Sequence, residues 1–110
     1  MTEQSGDSFE MIARHWKALA RREQADNYIE HLKHETFPQL SNMEGFVRAA
    51  ILRRETEGRT EFLITTIWES EDAIQRFAGE QVTLAVVPEA VQAMMIEYEE
   101  YATHYEIVFG

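Results

Sequence analysis

Four histidines, two tryptophans and one arginine flanked by apolar neighbours carry most of the chemistry open to this 110-residue chain. Histidine is the side chain whose unperturbed charge change falls near neutral pH, so it is the first place to look for a proton carrier. His104 stands beside Tyr105 and Glu106. In an extended strand, positions 104 and 106 share a face, and Glu106 would hold a proton on the imidazole. The plain alternative is a polar strand residue. His15 lies on the predicted first strand and faces the side opposite Arg14, toward the expected dimer seam. Arg14 shares a face with Ile12 and Trp16; a guanidinium turned inward is costly unless paired. It either holds an anionic or enolate ligand or bonds a carboxylate such as Glu106. Trp16 and Trp68 each offer one N–H and a broad flat surface, suited to clamping a planar ligand or to filling a core. His31, His34, Glu30 and Glu35 are spaced to share a metal on one helix, but no third or fourth ligand completes the set, so a solvated helix surface is expected and no metal. The five glycines are isolated, and no phosphate loop, dinucleotide fingerprint or Ser-His-Asp arrangement is present.

These residues need a scaffold. Alternation predicts a strand over residues 9–19, with Ile12, Arg14 and Trp16 on one face and Met11, Ala13 and His15 on the other. Ala25, Tyr28, Ile29 and Leu32 recur at helical spacing over residues 22–37, and Pro38 is expected to stop that helix. Residues 45–54 and 60–68 read as two strands joined by the Glu57-Gly58 turn, hence a hairpin. Ser70 is placed to cap a short helix with Ile74 and Phe77 inward, ended by Gly79. A further helix is expected from Pro88, with Val91, Met94, Met95 and Tyr98 as its core stripe. Residues 103–109 read as the closing strand. This order, βαββαβ, is that of an α+β ferredoxin-like domain: a four-stranded antiparallel sheet with helices on one face. Residues 1–8 are polar and expected to be disordered, leaving residues 9–110 as a single domain.

Composition excludes several function classes. Twenty acidic against ten basic residues give a net charge of −10, which repels phosphate backbones and anionic lipid, so neither nucleic acid nor membrane is expected as a partner. The chain has no cysteine, which removes disulfides, thiolate nucleophiles, iron–sulfur clusters and Cys-type zinc sites. No apolar run is long enough to span a bilayer, and the N-terminus lacks a signal-peptide pattern, so a cytoplasmic location is the default expectation.

The strand faces add a quaternary expectation. Residues 62, 64, 66 and 68 are Phe, Ile, Thr and Trp, while 63, 65 and 67 are Leu, Thr and Ile. Residues 47, 49 and 51 alternate with 46, 50 and 52 in the same way, with Arg48 as the exception. A sheet with one wet face alternates apolar with polar. The helices of one chain cover one face only. Leaving the other wet would forfeit roughly 1.5–3 kcal/mol per large apolar side chain, against a total domain stability of about 5–15 kcal/mol. A homodimer with sheets packed face to face is therefore expected, the alternative being a monomer with shorter strands.

Several segments resemble a known family. They are Ile12-Ala13-Arg14-His15-Trp16, the run FLITTIWESEDAIQRFAGEQ containing Trp68 to Gly79, Ala85-Val86-Val87-Pro88, and the terminal His104-Tyr105-Glu106-Ile107. Together they resemble the antibiotic-biosynthesis-monooxygenase (ABM) family of dimeric α/β barrels, in particular a small bacterial branch ending in HYEV. The resemblance implies the ferredoxin-like fold, a homodimer, and a small hydrophobic ligand. The family includes oxygenases that oxidise polycyclic aromatic phenols without a cofactor, and haem degraders. Neither catalytic set carries over: the Asn and Tyr that accompany the tryptophan of the quinone-forming members correspond to Ile64 and Ile74, and the second Trp and the haem-ligating His correspond to Phe77 and Val87. The resemblance implies a cofactor-independent monooxygenase-like protein acting on a small aromatic or enolisable substrate, with no cofactor, Trp16 and Trp68 lining the pocket, Arg14 steadying an oxyanion and His104 moving the proton. The alternative is a non-catalytic ligand-binding or stress-associated dimer.

Overall fold

The computed structural model describes residues 11–110; the expected disordered segment 1–8 and the first two residues of the predicted opening strand lie outside the described residues. Strand β1 (Met11–Arg21) is the centre of the sheet. It pairs antiparallel along its whole length with β3 (Arg59–Trp68), which pairs in turn with β2 (Phe46–Thr56). Along its other edge β1 meets two short strands end to end: β4 (Met95–Tyr98) against Ala18–Ala20 and β5 (Thr103–Ile107) against Met11–His15. The sheet thus has five strands in four lanes, open at both edges, where four strands were expected.

The β2–β3 hairpin turns at Glu57 and Gly58, both with positive φ, the conformation a two-residue hairpin turn needs to match strand twist. In β2 the register slips between Phe46 and Arg48, a bulge with Val47 as the extra residue. Strict alternation puts Phe46 opposite Ala49 and Ile51. The bulge brings it round to their face, where it meets Trp68 edge-on with ring centroids 5.3 Å apart.

One continuous helical rod crosses the sheet. A 3₁₀ turn (Arg22–Gln24) leads into α1 (Ala25–His31), a π-helical turn (Leu32–Thr36) and α2 (Phe37–Ser41). Pro38 does not stop the helix as expected. The Phe37 N–H donates to Leu32 C=O, five residues back, and this widened turn admits a proline that has no N–H of its own to place. Helix α3 (Glu71–Ala78) is capped as expected: the Ser70 hydroxyl accepts from the Ala73 N–H at 3.1 Å, and Gly79 ends it at φ 89°.

The helix expected after Pro88 is a single turn, α4 (Glu89–Gln92). Met95 and Tyr98 lie on β4, not on a helix. Helical spacing was real at Val91, Met94 and Met95. The free edge of β1 offered hydrogen bonds at Ala18 and Ala20, and pairing there outcompetes a longer helix.

The core lies between sheet and helices. One cluster gathers Ala18, Tyr28, Leu32, Phe62, Ile64, Val91 and Met95; the other gathers Leu40, Trp68, Ala73 and Ile74. On the opposite face of the sheet, Met11, Leu52 and Tyr105 are exposed, beside half-buried Leu63 and Thr65. No helix among the described residues is long and apolar enough to cross a membrane.

Candidate functional site

Between the helix-facing side of the sheet and the helical rod lies a cavity of about 350 Å³. Alternation along β1 and β3 sends Arg14, Trp16, Ile64 and Thr66 into it; Tyr28, His31, Leu32, Glu35 and Phe37 come from the rod, Phe77 from α3, and Ala85, Pro88 and Val91 from the returning segment. The lining is mainly apolar with a few polar groups, the composition of a small-molecule site.

Arg14 is buried. Its Nη1 donates to Val82 C=O and, at 2.8 Å, to His104 Nε2; its Nη2 donates to Leu84 C=O at 3.1 Å. The guanidinium also lies 5.6 Å over the Phe77 ring. Burial lowers the Arg14 pKa from its ordinary value, and the negative charge of Glu71 works in the opposite direction. His104 stands directly across from Arg14 in the β1–β5 register, and its Nδ1 lies 3.1 Å from Glu71 Oε2. A guanidinium is a donor only, so His104 Nε2 accepts and the proton sits on Nδ1, donated to Glu71. The neighbours expected from sequence are therefore replaced: neither Arg14 nor His104 pairs with Glu106. Helix α3 presents Glu71 across the sheet end, a contact that strand periodicity cannot register.

The tryptophans part company. Trp16 lines the cavity, donates from Nε1 to Glu99 C=O at 2.7 Å, and tilts against Tyr98. Trp68 is fully buried beneath the cavity, stacked on Phe77 with ring centroids 5.6 Å apart, its Nε1 donating to Thr66 Oγ1 at 2.9 Å. Trp68 thus shapes the cavity from behind Thr66 and Phe77.

On the rod, His34 turns outward to Glu30 at 2.9 Å, as a solvated helix face would have it. His31 and Glu35 do not: both line the cavity. They follow Tyr28 by three and seven residues, the spacing of one helical face, and that is the signal by which sequence reasoning could have found them. Thr66 was likewise passed over as a strand residue. Among the described residues no group of three or more His, Cys, Asp or Glu is placed to hold a metal ion.

The model of a family described as antibiotic biosynthesis monooxygenase matches residues 11–89. The chain belongs to the ABM family. Many solved structures are similar in fold, three of them as follows. A conserved protein from Methanosarcina mazei Go1 is 13% identical, covering 92% of this chain and 96% of its own, with a TM-score of 0.67. The heme-degrader MhuD of Mycobacterium tuberculosis, solved with two hemes in its active site, is 18% identical over 90% of this chain and 97% of its own, TM-score 0.60. SnoaB, a cofactor-independent oxygenase from Streptomyces nogalater, is 14% identical over 93% and 94%, TM-score 0.51. At these identities the likeness establishes the fold. No curated protein matches the chain. Against the ABM family pattern, Ile64 is a cavity wall, Ile74 is fully buried in the core behind it, Phe77 is the ring under Arg14, and Val87 packs against the core.

Proposed function

We propose that this ABM-family chain is a small cofactor-independent oxygenase acting on a hydrophobic aromatic or enolisable substrate bound in the cavity. The observation that carries the reading is a buried cation, Arg14, in the wall of a mainly apolar chamber that Trp16 also lines. An apolar substrate would enter for its surface area, and its developing oxyanion would be stabilised by the guanidinium. Loss of a proton makes such a substrate electron-rich enough to reduce O₂. One oxygen atom then enters the substrate, and the other leaves as water with two of the substrate's hydrogens. His104 is the proton carrier in this reading. It stands behind Arg14, and its Nε2 becomes free to accept when the imidazole itself swings off Nη1, the guanidinium keeping its bonds to Val82 and Leu84. Trp68 acts indirectly, through Thr66.

The expected partner is a second copy of the chain through the uncovered sheet face, with residues 9–110 as one domain and a cytoplasmic location. The family's heme chemistry fits poorly, since Val87 supplies no ligand; a Soret titration is expected to show no tight complex. The decisive experiment is oxygen uptake with a panel of anthrones and quinols. Turnover that falls at least a hundredfold in Arg14→Ala and clearly in His104→Ala is expected. Uptake equal to buffer across the panel would sink the oxygenase reading. It would favour the non-catalytic binding dimer, to which the apolar Ile64 wall is equally suited.

A further inference from the structure

We infer that the cavity selects an apolar ligand whose negative charge is shared by two oxygens, a carboxylate or the enolate of a 1,3-dicarbonyl, and that Arg14 and Thr66 hold it jointly. The inference rests on reading the cavity as the substrate site, and narrows its ligand.

A guanidinium carries five N–H groups in a fixed plane. Three of Arg14's are committed: two on Nη1, to Val82 C=O and His104 Nε2, and one on Nη2, to Leu84 C=O. The two without a partner among the described residues are Nε–H and the second Nη2–H. With Leu84 served by the outer Nη2–H, Nε–H and the inner Nη2–H form one edge of the plane, parallel, at the spacing that suits two oxygens of one delocalised anion. His104 fixes which edge remains: held by Glu71 at Nδ1, it engages Nη1 and so stops the fork from rotating.

Among the described residues, the direct partners of Arg14 are two carbonyls and a neutral imidazole. The carboxylate of Glu71, whose charge acts on Arg14, lies beyond His104. A buried cation without a directly paired anion is expensive, and a ligand anion supplies what the described residues leave out.

Thr66 supplies a third donor. It faces Arg14 across the β1–β3 register and lines the same cavity. Its Oγ1 already accepts from Trp68 Nε1, so the hydroxyl proton is left to donate elsewhere. A neutral ligand with a single acceptor oxygen uses at most two of these three donors; a two-oxygen anion can use all of them. Glu35 lines the cavity too and opposes an anion, so discrimination must come from the Arg14–Thr66 wall.

Calorimetric binding of 2-naphthoate against 2-naphthamide, equal in shape and differing in charge, tests this without turnover. The wild-type chain is expected to prefer naphthoate at least tenfold, the size of one charge-assisted hydrogen bond. Arg14→Lys keeps the charge but loses the fork, and should cut that preference about tenfold. Thr66→Val should cut it several-fold and Thr66→Ser restore it. Naphthoate that fails to bind, equal affinity for both probes, or an Arg14→Lys chain with undiminished preference would overturn the inference. A preserved preference without oxygen uptake on any substrate leaves the anion site standing and removes the oxygenase. Uptake on neutral substrates with no naphthoate preference does the reverse.

Discussion

His104 is gripped on both ring nitrogens, and that fixes what it can do at rest. With Nε2 accepting from Arg14 and Nδ1 donating to Glu71, it is a neutral ring that positions a cation. Glu71→Gln removes the charge and keeps the shape. It is expected to lower the affinity for an anionic probe a few-fold with little loss of melting temperature, since Glu71 is half exposed. Tyr28 gives a second prediction at this scale. It is buried edge-on against Phe62, with ring centroids 5.0 Å apart, and burial pushes its phenol well above the ordinary value of 10. The folded chain therefore holds the proton more tightly than the unfolded chain. The associated stability is intact below pH 10 and is lost as pH rises beyond it, because the unfolded state ionises first. Tyr28→Phe should move the alkaline unfolding midpoint, followed by circular dichroism, to higher pH; an unchanged midpoint would show that another group sets it.

The elements that frame the cavity depend on a few local devices. Ser70→Ala removes the hydroxyl that accepts the Ala73 N–H at the start of α3, and should cost about 1 kcal/mol in denaturant unfolding. Gly45 is more constrained. Its φ is 91°, and a Cβ there would overlap the Cβ of Ala73. Gly45→Ala combines backbone strain with overpacking and is expected to cost roughly 2–4 kcal/mol. A cost no larger than that of Ser70→Ala would mean that α3 can move off the sheet freely. The π-helical turn belongs to the same scale. It carries the rod past Pro38 to Leu40, which closes the second core cluster below the cavity.

For the whole molecule, the proposed dimer depends on the uncovered sheet face. Met11, Leu52 and Tyr105 are exposed there, with Leu63 and Thr65 half-buried beside them. Light scattering at low micromolar concentration should report twice the 12.8 kDa chain mass. Leu63→Arg, at the middle of that face, should shift the mass toward one chain while the cavity, on the other side of the sheet, still binds naphthoate. A single-chain mass for the parent protein would end the face-to-face dimer.

Much of this was legible in the residues, because the signals were local. Alternation named β1, β2, β3 and β5, but not β4, and grouped the residues that share each face. Glu57-Gly58 named the hairpin, Ser70 and Gly79 bracketed α3, and the quoted segments pointed to the ABM family that the model match over residues 11–89 establishes. Period two put Arg14 and Trp16 together on one face, and that face lines the cavity. What escaped was set by partners far along the chain. Val91, Met94 and Met95 have helical spacing, yet Met95 pairs with β1, because an open strand edge demands hydrogen bonds that no local pattern announces. Pro38 reads as a stop until the turn before it widens. Glu71 rather than Glu106 meets His104, and His31 faces the cavity rather than solvent, because packing α3 and the rod onto the sheet brings those side chains there. Sequence determines which face each residue presents; only the packing of one element on another decides what it meets.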